Sequence, residues 1–114
     1  MKIPAAVITA PRPEPTLERS GDSLRAAGFP HFALYRDTGS NTYRRWITAL
    51  ADLVDCHPDA DGYAMFHDDV VYCLGVQVWL ENALWPHAKA AVCSIFTPGG
   101  YQKEEYGWHQ IDRG

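Results

Sequence analysis

Tyr63-Ala64-Met65-Phe66-His67-Asp68-Asp69-Val70-Val71 is the stretch whose reading decides the fold. An apolar run with the length of a short buried strand breaks into two adjacent carboxylates and then resumes. A strand that ends in acids delivers them to the carboxyl edge of its sheet, where open α/β sheets bind ligands. Neighbouring aspartates repel each other and are costly to desolvate, so the pair calls for a cation or a set of hydrogen-bond donors nearby. Taken alone, the pair has two readings. Either Asp69 caps a following helix and Asp68 is a solvated turn residue, or both help hold a divalent metal against a nucleotide diphosphate.

Working outward, Ala5-Ala6-Val7-Ile8-Thr9-Ala10 is apolar without polar alternation, as a central strand buried on both faces should be. Pro11-Arg12-Pro13 cannot continue the ladder and carries Arg12 to the strand's carboxyl end. A helix is expected over 16–27, with Thr16 at its cap and Gly28 ending it in a left-handed conformation. The second strand is expected over 31–35, running into the polar loop Arg36-Asp37-Thr38-Gly39-Ser40-Asn41. A second helix, 42–56, carries the apolar stripe Tyr43, Trp46/Ile47, Leu50 and Leu53/Val54. Arg44 and Arg45 fall in its first turn, where the macrodipole disfavours cations, which makes Arg44 a candidate contact for an anionic ligand. After the acids, a third helix is expected over 71–84, apolar at Val71, Leu74, Val78 and Trp79, and a fourth strand over 88–96.

The order β-α-β-α-β-α-β implies right-handed crossovers and a doubly wound, mainly parallel α/β sheet. Three loops then meet on one edge, carrying Arg12, Asp37 and the Asp68-Asp69 pair. That convergence favours a ligand site over a helix cap.

Bulk properties narrow the function classes. At 114 residues, with 46% hydrophobic and 21% charged residues, the chain is one small domain of ordinary globular composition. A net charge of -4 argues against nucleic-acid or anionic-membrane partners, and no apolar run approaches the length of a membrane span. Cys56, Cys73 and Cys93 lack paired spacing and read as reduced core thiols of a cytoplasmic protein.

Several of these segments together resemble the N-terminal, donor-binding half of GT-A-type nucleotide-sugar glycosyltransferases. They are Val7-Ile8-Thr9-Ala10-Pro11-Arg12, Leu24-Arg25-Ala26-Ala27-Gly28-Phe29 and Phe66-His67-Asp68-Asp69-Val70. Trp46-Ile47-Thr48-Ala49-Leu50, Asp59-Ala60-Asp61-Gly62 and Ser94-Ile95-Phe96-Thr97-Pro98 fit the same pattern. The resemblance spans nearly the whole chain, and its specific element is the short acidic motif. It implies that Pro11, Arg12 and Asp37 grip the nucleoside. It also implies that Asp69 binds a manganese or magnesium ion bridging the diphosphate, with Asp68 in the metal's water shell or on the ribose side. Such a metal would act as a Lewis acid on the departing nucleoside diphosphate.

Two departures stand beside it. His67 replaces the first acid of the DxD motif. The acceptor-binding half that such enzymes need has no counterpart in these residues. The expectation is therefore a donor-binding domain, incomplete at its C-terminus and weakly active or inactive alone. The alternative is a non-catalytic nucleotide-binding module, or one that self-associates through an unpaired sheet edge. A receiver-type fold would need its acids after the first strand, where Ala10-Pro11-Arg12 stands, and the His67-Asp68 pair follows a strand rather than lying on a helix as in HD-type phosphohydrolases.

Overall fold

Every residue of the first strand, β1 (Ala5–Thr9), is buried, because it is the middle strand of a sheet covered on both faces. The computed structural model describes residues 1–39, 41–83 and 92–94. Within them β1 is followed by α1 (Leu17–Ala26), β2 (Ala33–Arg36), α2 (Thr42–Cys56), β3 (Ala64–His67) and α3 (Val76–Ala83). The three strands form an open parallel sheet in the order β2-β1-β3. Val7 pairs with Leu34 on one side and with Phe66 on the other. The α/β reading therefore holds for this three-stranded sheet. The expected fourth strand lies outside the described residues except for 92–94, which belong to no helix or strand.

Alternation along β1 divides its side chains between two layers. Ala5 and Val7 join Leu24 of α1, Phe29, Phe66 and Leu80 of α3 in one buried cluster. Helix α2 packs against β1 and β2, and its buried Ala49 and Leu53 lie outside that cluster. Loops leaving β1 and β2 thus travel to opposite faces, as right-handed crossovers require when the strand order reverses. The Phe66 ring meets Phe29 and Tyr72 edge-on, with centroids 5.1 and 5.0 Å apart. Each such pair adds about 1 kcal/mol beyond the area buried.

Gly28 ends α1 as the sequence implies. Its φ of 113° lies where side chains are disfavoured, and the Phe29 and Gly28 N–H groups close onto the Leu24 and Arg25 carbonyls. This is the paired C-cap pattern, with its apolar contact supplied by Leu24 and Phe29. A Cβ on Gly28 would also sit 2.5 Å from Gln77 Cβ, because the start of α3 docks there through Gln77 N–H to the Ala27 carbonyl at 3.1 Å.

Three expectations need correction. Helix α3 begins at Val76, not 71. Residues 70–75 spend their backbone groups elsewhere: the Val70 carbonyl accepts from Ser20 Oγ, and the Tyr72 N–H donates to Ser23 Oγ. Gly75, with φ of 82°, then breaks any continuous helix. The apolar period was accordingly misassigned. Val71, Leu74, Val78 and Trp79 are exposed, and Val76 and Leu80 face the core. In α2 the buried seam runs through Ala49 and Leu53, leaving Tyr43, Ile47 and Val54 exposed. Lastly, Cys56 and Cys73 are exposed rather than core thiols.

Candidate functional site: the carboxyl edge of the sheet

Strand β1 delivers Thr9 to the edge, and Pro11 and Pro13 hold the backbone on either side of Arg12 near the one φ that proline allows. Strand β3 ends beside it and presents Asp68. The two meet directly. Asp68 Oδ2 accepts from Thr9 Oγ1 at 2.5 Å and from the Ala10 N–H at 3.3 Å. Its other oxygen, Oδ1, accepts from Arg12 Nη2 at 2.8 Å. Asp68 is 2% exposed, whereas the Arg12 side chain keeps 34% of its surface open to water. The same Nη2 lies 3.7 Å from Asp69 Oδ2, and the Asp69 side chain is 52% exposed. Adjacent in sequence and facing the same guanidinium nitrogen, the two acids differ in burial and in hydrogen bonding.

Burial by itself would raise the Asp68 pKa. The hydrogen bonds from Thr9, Arg12 and the Ala10 N–H, with the Arg12 charge, outweigh it and hold the carboxyl below its ordinary value. Reciprocally, the Asp68 hydrogen bond and charge raise the Arg12 pKa, in a side chain that proteins keep charged in any case. Arg12 Nε is buried and finds no hydrogen-bond partner among the described residues.

The loop after β3 is tied down by a row of hydroxyls on α1 and its N-cap residue. Thr16 Oγ1 donates to the Asp68 carbonyl at 2.6 Å, and Ser20 Oγ reaches the His67 and Val70 carbonyls at 3.2 and 2.7 Å. Thr16 stands at the N-cap position, as expected, but its side chain makes no cap bond. The hydroxyls were missed in the sequence. Their signal was legible: Thr16, Ser20 and Ser23 recur at helical spacing and define one polar stripe. On the far side, the Tyr72 hydroxyl accepts from the His67 N–H at 3.2 Å and donates to the His67 carbonyl at 2.8 Å. A side chain thereby satisfies backbone groups at the end of β3.

Asp37 reaches the same edge from β2. Its N–H donates to the Thr9 carbonyl at 2.7 Å, extending the β1–β2 pairing by one step. The residue is 7% exposed, and its carboxylate accepts from the Gly39 N–H at 2.9 Å and from Thr42 Oγ1 at 2.8 Å. Those two bonds, helped by Arg45, lower its pKa against the opposing effect of burial. Arg44 is exposed in the first turn of α2, where its N–H is capped by Asn41 Oδ1 at 2.9 Å. Of the candidate residues, the fold joins Arg12, Asp68 and Asp69 by contact. It links Asp37 to β1 through the backbone, leaves Pro11 exposed next to Arg12, and gives Arg44 no side-chain contact with the acids.

This arrangement does not fit a divalent ion held by Asp68. Both of its oxygens are engaged by donors, and one donor is a guanidinium that a metal would have to displace. Asp69 alone remains open, and one carboxylate is a poor site for ions that take six or more oxygens. Among the described residues no group of three or more His, Cys, Asp or Glu side chains is gathered to hold a metal, and no helix is long and apolar enough to cross a membrane. Comparison with protein-family models, with curated proteins and with solved structures gives no match.

Proposed function

We propose that this domain binds a nucleoside-diphosphate sugar at the carboxyl edge of its sheet, in the manner of the donor-binding half of a GT-A-type glycosyltransferase. One observation carries the reading. The loops that leave β1 and β2 part toward opposite faces, and Pro11, Arg12 and Asp37 stand where they part. Open α/β sheets bind ligands outside the carboxyl ends of their strands, where strand ends supply fixed backbone while the loops supply side chains. Arg12 brings a fixed positive charge suited to phosphate oxygens. Pro11 and the Asp37-Thr38-Gly39 turn offer the walls and polar groups that a base and ribose need. Free cysteines without paired spacing suit a reducing compartment such as the cytoplasm.

Calorimetric titration with uridine diphosphate and guanosine diphosphate tests the reading. Saturable binding by one of them, weakened at least tenfold by Asp37→Ala in a folded variant, is the expected result. Absence of binding by both removes the donor reading. Donor-sugar hydrolysis separates an enzyme from a binding module, and slow or absent turnover by this chain alone is expected.

A further inference from the structure

We infer that Arg12 is the cation of this edge: its guanidinium, rather than a divalent metal, stands against the Asp68-Asp69 pair and meets the diphosphate, so that ligand binding needs no metal. The inference rests on the donor reading above for its ligand, but not for its account of the acids. Both Asp68 oxygens are engaged, Oδ2 by Thr9 Oγ1 and the Ala10 N–H and Oδ1 by Arg12 Nη2, and a carboxylate at 2% exposure offers little face to an incoming ion. Its part is to aim Arg12. The guanidinium is held by one corner, through Nη2, and part of the side chain stays in water. Its Nε is buried, so the edge that meets the phosphate oxygens is the outer one, Nη1 with the Nη2 N–H on the Asp69 side, a planar pair of donors that a point charge would not provide. Prolines on both sides restrict the backbone that carries it, so little order remains to be imposed when the ligand arrives. Asp69, exposed and 3.7 Å away, is free to swing aside as an anion enters.

Two measurements on the full chain test this. The first uses manganese alone, followed by loss of the free-ion electron paramagnetic resonance signal. The wild type is expected to take up no manganese saturably. Arg12→Met, which frees Asp68 Oδ1 and the face of Asp69 while Thr9 and Ala10 still hold Asp68 Oδ2, is expected to gain uptake, and Asp68→Asn added to it to lose that gain. Saturable uptake by the wild type that Asp68→Asn or Asp69→Asn abolishes overturns the inference, and so does a folded Arg12→Met that gains none.

The second titrates uridine diphosphate and inorganic pyrophosphate in chelator and then in excess manganese. Affinities that agree within about twofold are expected, with Arg12→Lys weakening both ligands by about tenfold because the fork is lost. A rise of tenfold or more with manganese overturns it. Arg12→Gln, which removes the charge but can still donate a hydrogen bond toward Asp68, serves as the second variant in the manganese titration should Arg12→Met not fold. No binding of either ligand in either condition removes the donor reading and Arg12's ligand with it. The manganese titration alone still decides whether Arg12 excludes the metal.

Discussion

Two strand ends of this sheet carry a buried aspartate, and the two are built for different tasks. At the end of β2, Asp37 bonds to Gly39 and Thr42, two and five residues away. It shapes its own loop and the entry to α2. At the end of β3, Asp68 bonds to Thr9, Ala10 and Arg12, which lie 59, 58 and 56 residues back in the chain. It joins the first strand to the third. A carboxylate that organises a turn is replaceable by water or by a neighbouring polar group. One that is buried beneath a guanidinium is not, since removing the arginine leaves a buried charge short of compensation, and removing the carboxylate leaves the Thr9 hydroxyl and the Ala10 N–H without their acceptor. Burial alone therefore does not distinguish a local cap from a tertiary latch; the sequence separation of the partners does.

Substitution can break this contrast. Asp68→Ala is expected to cost about 3 kcal/mol of unfolding free energy, measured in urea, because it strips the acceptor from the Thr9 hydroxyl and the Ala10 N–H and leaves a cavity at a buried position. Asp37→Ala should cost less than half as much; equal losses would erase the distinction between the two ends. Thr9→Val keeps the shape of the side chain and deletes the hydroxyl that donates to Asp68, for an expected loss of roughly 2 kcal/mol. Combined with Asp68→Asn in a double-mutant cycle, the losses should fall well short of additive, as they do for residues sharing one network.

Acidity sharpens the same contrast. The folded-state pKa of Asp68 lies below its unfolded value. Its stabilisation is therefore fully present above about pH 4, where an unfolded aspartate is ionised, and is lost as pH falls through the lower folded value. Wild-type stability should decline more steeply between pH 5 and 2 than that of Asp68→Asn, followed by urea midpoints; parallel curves would refute the role given to this carboxylate. The smallest effect belongs to the neighbour. Asp69→Asn should leave stability within about 0.5 kcal/mol, as exposed substitutions usually do.

How much of this was legible in the sequence varies along the chain. The central place of β1 could be read from Ala5 to Thr9, since an apolar strand without alternation has nowhere to go but between two layers. Helix α2 was found with its termini, as Asn41 and the polar loop before it mark a start. Helix α3 was misplaced by five residues. Val71, Leu74 and Val78 recur at helical spacing, and spacing cannot reveal that Ser20 and Ser23 of a distant helix claim the backbone between 70 and 72. The edge residues Arg12, Asp37, Asp68 and Asp69 were found because strand ends were found. The partners of each were not.

The sequence by itself determined the parallel α/β order and the residues that stand at the carboxyl edge, because both follow from apolar run lengths and from where prolines and acids interrupt them. Tertiary structure alone decided what the acids do there. Asp68 could have faced water, a metal or an arginine, and the choice rests on β3 lying next to β1 with Thr9 and Arg12 at its end. Such partners are set by packing across the sheet, and no local pattern of residues encodes them.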